Sequence, residues 1–285
     1  MFDCIVSLTS WKGRINCPSL LEVLNSIVNQ ETKYNYHIVF VLSTEEFPQK
    51  EQNLPQQLVQ FINDNQIELL WTTENLKAYK KLYPVQKKYP NLPIMTTDDD
   101  IMLEPNCIET FMAEHEQDPT AILSEGGRQF SVDGETLTGI FRLYPPHSLL
   151  EIDPMFFKYW FKNCEDDAYC AILAWAKDTP TKILKTGLAN ELKTEELSSN
   201  ALRKTYWKIN NKQCKLNLLK ALKKLGLLQK PIDGIIKRYE EIRIKKELEK
   251  KKKLEEARKK KLEAEKKKKL AAMKKKSKYK KGKKC

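Results

Sequence analysis

The sequence lacks the features of membrane-spanning, secreted and zinc-knuckle proteins. No apolar run approaches the ~20 consecutive residues that a transmembrane helix needs, and the opening MFDCIVSLTS has neither the basic segment nor the cleavage site of a signal peptide. The seven cysteines are odd in number and form no CxxC pair, so neither a disulfide framework nor a zinc knuckle is indicated. We therefore expect reduced thiols in a cytoplasmic protein.

Positive charge is concentrated at one end of the chain. The 285 residues carry a net charge of +13, and the segment 237–285 alone holds 25 Lys and Arg against 8 Asp and Glu. That local balance of +17 leaves residues 1–236 with a net charge of −4. With 41% hydrophobic residues, the first part of the chain has enough apolar material for a sizeable core. The basicity therefore belongs to a tail.

The first 125 residues alternate between β-rich runs and helix-like stretches. Strands are predicted at 2–8, 36–42, 67–72 and 94–97, and helices at 19–29, 55–63, 76–88 and 107–116. A β-α-β series of this kind predicts an α/β fold, in which a mostly parallel sheet is covered by helices on both faces. Ligands bind such sheets at the carboxyl ends of the strands.

The pattern is less regular after residue 125. An extended run is predicted at 136–146, an aromatic helix from 154 to about 177, and amphipathic helix over 191–228. Leucines 216, 219, 222 and 225 form a stripe that is typical of a packing face. We expect an α/β domain over 1–190, a helical extension over 191–236 and a Lys-rich helical tail over 237–285.

The tail contains three octads over residues 250–273, KKKKLEEA, RKKKLEAE and KKKKLAAM. Eight residues at ~100° each leave a drift of ~80°, so the leucines spiral around a helix and form no coiled-coil seam. This pattern predicts a long helical rod that does not dimerise stably.

Three adjacent carboxylates, Asp98, Asp99 and Asp100, follow the predicted strand at 94–97. Adjacent carboxylates repel one another, and at a ligand-binding strand end they are typical ligands of Mg²⁺ or Mn²⁺. Side chains alternate along a strand, so Asp98 and Asp100 are expected to point the same way and Asp99 elsewhere. The alternative is an acidic turn that caps the next helix.

A second acidic cluster, Glu165-Asp166-Asp167, precedes the apolar stretch AYCAILAW. Acidic residues are favoured at a helix amino terminus by the helix dipole, which gives one interpretation. The other is a general base that deprotonates an acceptor hydroxyl. Spacing alone does not separate the two.

Ordered sequence pieces resemble a known family. They are IVSLTS at 5–10 followed by Arg14, LNSIVNQ at 24–30, NLKAYKKLYP at 75–84, TDDDI at 97–101, LYPP at 143–146 and the pair Asp166-Asp167. In this order they resemble bacterial glycosyltransferases of capsule and lipooligosaccharide gene clusters, which have a GT-A fold. The resemblance covers about residues 2–215 and is not specific to one sugar.

The resemblance implies a nucleotide-sugar donor, with UDP-sugar as the expected one, bound over the first half of the sheet. Asp98 and Asp100 match a DxD-type motif that holds Mn²⁺ or Mg²⁺ against the diphosphate, and Asp99 is placed among the donor-binding residues. Ser7 and Thr9 resemble positions that line the nucleotide pocket.

Three further roles follow from the same resemblance. Arg14 is expected to meet a phosphate, and Lys80 to add positive charge beside the donor, although a solvated helix face is the alternative for Lys80. Asp167, or alternatively Asp166, resembles the catalytic base of inverting enzymes. His147 could be a third metal ligand, as in some GT-A enzymes. The alternative is polar surface, which is the usual role of a lone histidine in a loop.

The expected function is therefore metal-assisted, inverting transfer of a sugar to a glycan or lipid-linked acceptor in cell-surface polysaccharide or lipooligosaccharide synthesis. For the tail, three interpretations stand: the anionic inner leaflet of the membrane, which the resemblance favours, nucleic acid without sequence recognition, or no partner. The rival functions are a metal-dependent phosphoryl transferase or phosphodiesterase, and a non-catalytic polyanion-binding protein. With three histidines in the chain, the second metal site that the first rival needs has few candidate ligands.

Overall fold

A seven-stranded mixed sheet forms the centre of the fold. In this computed structural model the residues described are 1–127, 139–152, 166–193, 211–228, 237, 240, 241, 244, 245 and 247–261. Their strands are β1 (Cys4–Thr9), β2 (Tyr36–Ser43), β3 (Glu68–Thr72), β4 (Ile94–Thr96), β5 (Ile101–Leu103), β6 (Ile122–Glu125), β7 (Phe141–Tyr144), β8 (Thr181–Leu184) and β9 (Ala189–Glu191). Their helices are α1 (Pro18–Val28), α2 (Gln56–Asp64), α3 (Tyr83–Lys88), α4 (Cys107–Gln117), α5 (Asp166–Ala176) and α6 (Asn211–Lys224). Two 3-10 turns cover Lys50–Asn53 and Lys77–Lys81.

The strand order of the large sheet is β3-β2-β1-β4-β7-β6-β8. Strand β7 runs antiparallel to both of its neighbours, while the other neighbouring strands are parallel. β5 and β9 form a separate antiparallel pair. The predicted α/β fold with a mostly parallel sheet flanked by helices is confirmed.

Apolar patterning explains the first half of the sheet. β1 is buried at every position, as a central parallel strand with helices over it requires. α1 buries Leu20, Val23, Leu24 and Ile27, which recur at helical spacing, and Pro18 occupies the first turn, where its missing N–H costs nothing. On the other side of the sheet centre, the rings of Phe111 on α4 and Phe141 on β7 meet edge to face with centroids 4.7 Å apart.

The prediction of a single helix over 76–88 is wrong. The chain forms the 3-10 turn Lys77–Lys81 and then starts again as α3 at Tyr83. Pro84 explains the break, because it has no N–H to donate to the Lys80 carbonyl, as a continuous helix would require, and it is tolerated in the first turn of α3. The short turn buries Lys80 and Lys81 side by side.

The later predictions are met in part. The helix predicted from 154 is α5 where it can be compared, since 153–165 lie outside the described residues. The helical prediction over 191–228 is correct for α6 but wrong at its start, where Glu191 ends strand β9. Leu216, Leu219 and Leu222 are buried as a packing face, whereas Leu225 is exposed.

The chain divides into two compact units, Met1–Ile232 and Asp233–Cys285. The boundaries predicted at 190 and 236 remain predictions. In the second unit, residues 247–261 form a continuous helix with exposed side chains, including Leu254 of the first octad. Leu262 and Leu270 fall outside the described residues. Across the described segments, no helix has the length and apolar character needed to cross a bilayer.

Candidate active site

The acidic triplet lies in a turn between β4 and β5. The sequence-based prediction that strand alternation would separate Asp99 from its neighbours is wrong, because β4 ends at Thr96. The triplet does not cap the next helix either, since Asn106 is the cap residue of α4. The turn is fixed by backbone hydrogen bonds from Leu192 N–H to the Asp100 carbonyl (2.7 Å) and from Ile101 N–H to the Asp98 carbonyl (3.2 Å).

Arg14 and Ser10 hold two of the three carboxylates. Nη1 of Arg14 donates to Oδ1 of Asp99 (2.6 Å) and to Oδ2 of Asp100 (2.8 Å), and the Ser10 hydroxyl donates to Oδ2 of Asp99 (2.6 Å). These contacts follow from topology, since β1 and β4 are parallel neighbours and end at the same edge of the sheet.

Burial raises the pKa of the Asp100 carboxyl to about 6, with the Asp98 charge acting in the same direction and Arg14 opposing it. Burial also raises the pKa of Asp99, against the opposing effect of Arg14 and Ser10. In both residues burial disfavours the ionised carboxylate. A further positive charge in the cleft would favour the ionised form.

Lys81 joins the triplet to the second acidic cluster. Its ammonium pairs with Oδ1 of Asp98 and lies 3.3 Å from Oδ2 of Asp166. Burial disfavours the charge of Lys81, yet the carboxylates of Asp166 and Asp98 raise its pKa above the usual value. Lys81 therefore links the two clusters through ion pairs that favour its charged form.

Asp166 and Asp167 form the first turn of α5, as the dipole interpretation predicts, and they also line the cleft. Nη2 of Arg142 lies 2.6 Å from Oδ1 of Asp167 and donates to the Gly139 carbonyl at 2.6 Å. Burial raises the pKa of Asp167 to about 6, with Asp166 acting in the same direction and Arg142 against it. For Asp166, burial is outweighed by Lys81 and Arg142, and the pKa lies below its usual value.

Lys80 is buried beside the triplet and forms an ion pair with Glu46. Its Nζ lies 2.8 Å from Oε2 of Glu46 and donates to the Ser10 carbonyl at 3.3 Å. Burial lowers the pKa of Lys80, although Glu46 acts in the opposite direction. Lys80 is thus no solvated helix face, since its side chain is buried and lines the same cleft as the triplet.

Most of these groups line one cleft of about 410 Å³, within the range of ligand pockets. Eight of the nine predicted site residues line it: Thr9, Arg14, Lys80, Asp98, Asp99, Asp100, Asp166 and Asp167. Ser7 is the exception, since its side chain is fully buried within β1 and does not reach the cleft wall. The expected place of Ser7 at the pocket is therefore corrected, while Thr9, two residues further along the same strand face, reaches it.

Sequence reasoning missed Arg142 and Glu46. Arg142 is in an otherwise apolar extended run, and a charged residue in a buried strand needs an opposite charge, which was the available signal. Its β-strand lies next to β4, with Arg142 opposite Thr96. Glu46 follows β2 without any comparable signal.

The donor set fits a divalent cation of the Mg²⁺ type, which proteins hold with one or two carboxylates while substrate phosphates and water complete the shell. Asp98 and Asp100 are the two carboxylates of the triplet that could hold such a cation, with side chains 42% and 17% exposed at the cleft. Within the described residues no group of three or more His, Cys, Asp and Glu side chains has the arrangement of a complete metal site. His147 does not contribute, since it lines a different cavity of about 440 Å³ beside Tyr79 and Leu149.

No protein-family model and no curated protein matches this chain. Among solved structures, TarS of S. aureus is similar at 13% identity and a TM-score of 0.45, covering 78% of this chain and 43% of that chain. The mannosyltransferase PcManGT of Pyrobaculum calidifontis, in complex with GDP-Man and Mn²⁺, is similar at 12% identity and a TM-score of 0.45, covering 84% of each chain. A shorter S. aureus TarS structure with UDP has 12% identity and a TM-score of 0.46, covering 77% of this chain and 71% of that one. With every one of these TM-scores below 0.5, the likenesses assign neither a family nor an activity to this chain.

Proposed function

We propose that this chain is a glycosyltransferase of the GT-A type. In this proposal it moves a sugar from a nucleotide-sugar donor, expected to be a UDP-sugar, to a glycan or lipid-linked acceptor. The observation that carries the proposal is the convergence of the DxD-type carboxylates, buried cations and a carboxylate of raised pKa in one cleft at the strand ends. The ordered sequence resemblance over residues 2–215 supports the same assignment independently.

Asp98 and Asp100 would hold Mn²⁺ or Mg²⁺ at the mouth of the triplet. When bound, this cation supplies Lewis acidity that neutralises the leaving diphosphate. Arg14 keeps Asp100 in place through its hydrogen bond, so its role is to support the triplet as well as to bring a positive charge to the cleft. Lys80, buried beside Ser10, adds a second positive charge for the donor phosphates.

Asp167 is the better of the two candidate bases. Asp166 is committed to Lys81 and its pKa is lowered, which makes it a weak proton acceptor. Asp167 has a pKa of about 6 and a more exposed side chain, so near neutral pH it is ionised and still sufficiently basic.

The reaction is a single displacement. Asp167 takes the proton of the acceptor hydroxyl while that oxygen forms a bond to the anomeric carbon. The bond between the anomeric carbon and the diphosphate oxygen breaks, and the nucleoside diphosphate leaves with the electron pair. Attack from the side opposite to the leaving group inverts the anomeric configuration.

The pathway and the location are part of the proposal. The acceptor belongs to cell-surface polysaccharide or lipooligosaccharide synthesis, as the resemblance implies. The Lys-rich tail would hold the catalytic unit at the cytoplasmic face of the membrane, because lysines near an anionic leaflet are attracted to its surface charge. A lipid-linked acceptor would then be close at hand.

Calorimetric titration with UDP, GDP and CDP, each with and without Mn²⁺, tests the donor site. We expect one nucleotide to bind only with Mn²⁺, and the variant Asp98→Ala/Asp100→Ala to lose that binding. The matched control is Asp64→Ala/Glu51→Ala, which removes two carboxylates from exposed positions outside the cleft. Circular dichroism establishes that each variant is folded. If no nucleotide binds under any metal condition, the proposal fails.

A further inference from the structure

Within the described residues, Lys81 is the cation that forms ion pairs with both acidic clusters. Its ammonium pairs with Asp98 on the triplet turn and with Asp166 on α5. The side chain of Lys81 is only 6% exposed, so water contributes little to the solvation of its charge. The two carboxylates are therefore its main source of stabilisation.

The two partners of Lys81 differ in their exposure. The Asp98 side chain is 42% exposed and faces the open cleft, whereas the Asp166 side chain is 15% exposed. A second cation that enters the cleft from solvent can reach Asp98 directly. It must then share a carboxylate whose Oδ1 already accepts a hydrogen bond from Lys81.

We propose that Lys81 is the resident counter-ion of Asp98, which gives up this carboxylate when a divalent cation binds and then pairs with Asp166 alone. The inference rests on the proposed metal role of Asp98. Lys81 and the divalent cation compete because both draw on the same negative charge. Asp166 makes this change of partner possible, since it keeps the buried ammonium of Lys81 paired after Lys81 has left Asp98.

One consequence concerns the candidate base. Asp166 precedes Asp167 at the start of α5, so a change in the pairing of Lys81 acts on the turn that carries the base. Occupation of the metal site and the position of Asp167 are thereby coupled through one side chain. Neither the ion pair of Lys81 with Asp98 nor its ion pair with Asp166 would provide that link alone.

The test measures the binding of Mn²⁺ alone. The electron paramagnetic resonance signal of free Mn²⁺ gives the fraction that is not bound. We expect Lys81→Met to bind Mn²⁺ about tenfold more tightly than the wild type, because the competing charge is gone. The matched control is Lys88→Met, which also removes one lysine charge, in this case a charge that pairs with Glu68 outside the cleft. The control should change the affinity by no more than about threefold, and Lys81→Arg should remain close to the wild type.

A second pair of variants tests the role of Asp166 without altering Lys81. Asp166→Asn leaves Lys81 with Asp98 as its one charged partner, so Mn²⁺ should bind several-fold more weakly than it binds Asp167→Asn. Both variants remove one charge from the same helical turn, so a general electrostatic effect would be equal in the two. This pair decides the question if Lys81→Met does not fold.

The outcomes separate this inference from the proposed function. If the wild type and all variants fail to bind Mn²⁺, the proposed metal site itself is wrong, and the counter-ion role falls with it. If the wild type binds Mn²⁺ but Lys81→Met binds equally or more weakly, the counter-ion role alone is overturned. Equal affinities for Asp166→Asn and Asp167→Asn would overturn it in the same way.

Discussion

At the scale of single residues, the cleft pairs each buried charge with an opposite one. Arg14 holds Asp99 and Asp100, Lys81 links Asp98 to Asp166, and Arg142 holds Asp167. A buried charge without a partner costs several kcal/mol, roughly, so these pairs are a condition for keeping so many carboxylates together. The pairs also give the two aspartates of α5 different surroundings, since Asp166 lies beside Lys81 and Asp167 beside Arg142.

The pH dependence of transfer tests the base. Asp167 must be ionised to accept a proton, so the rate should rise as the pH increases through about 6 and level off above it. Initial rates of sugar transfer or donor hydrolysis, with the donor found by calorimetry, give the profile. Asp167→Asn should lower kcat by about 10²- to 10⁴-fold and abolish this acid limb.

Asp166→Asn is the matched control for that profile. It should keep the acid limb, since Asp167 is still present, and it should retain more activity than Asp167→Asn. An unchanged acid limb in Asp167→Asn would assign the base to another group. A limb lost only in Asp166→Asn would assign it to Asp166.

At the scale of secondary-structure elements, the strand β7 determines the second half of the site. It is inserted antiparallel between β4 and β6, and this position brings Arg142 from the sheet to the start of α5. Phe141, the preceding residue, packs its ring edge to face on Phe111 of α4. The packing of Phe141 in the core thus holds β7 in place, and with it the guanidinium of the next residue, Arg142.

The contact between Phe111 and Phe141 predicts a large effect on stability. Both side chains are fully buried, so Phe111→Ala should lower the free energy of unfolding by about 3–5 kcal/mol. Urea unfolding followed by circular dichroism measures the change. Gln117→Ala, at the exposed end of the same helix, should stay within about 0.5 kcal/mol of the wild type. A loss below about 1 kcal/mol for Phe111→Ala would contradict the core position assigned to this ring.

At the scale of the whole molecule, charge is divided between two compact units of opposite balance. Residues 1–232 carry a net charge of −3, while residues 233–285 carry +16. The acidic cleft and the polycationic helix therefore belong to different units of the chain. The described helix of the second unit, 247–261, exposes all its side chains.

The full chain should bind vesicles that contain phosphatidylserine, and the binding should weaken as salt is raised. Changing the seven lysines at 250–253 and 259–261 to glutamine should weaken it by at least 100-fold, since each lysine near the surface contributes about 1 kcal/mol. Sedimentation with vesicles gives the affinities, and neutral phosphatidylcholine vesicles are the control. Equal binding by the variant would show that this tail segment is not the anchor. Binding to double-stranded DNA but to no vesicle would favour the nucleic-acid interpretation.

Residue order alone predicted much of the first 125 residues. The apolar runs of β1 and β2 and the helical spacing of α1 are local patterns, and the parallel sheet follows from their alternation. The same order placed Asp98–Asp100 at a strand end, where parallel sheets bind ligands. It did not indicate the break before Pro84 or the antiparallel insertion of β7.

What the sequence by itself determined is the inventory of the cleft: the acidic triplet, the pair at 166–167, Lys80 and the basic tail. Only the tertiary structure decided which charge meets which, because ion pairs such as Arg14 with Asp99 or Arg142 with Asp167 join residues that are far apart along the chain. It also decided that Ser7 is buried in the sheet and that Lys81 reaches both acidic clusters. The physical reason is that side-chain pairing and pKa depend on distance and burial, and strand order and packing set both.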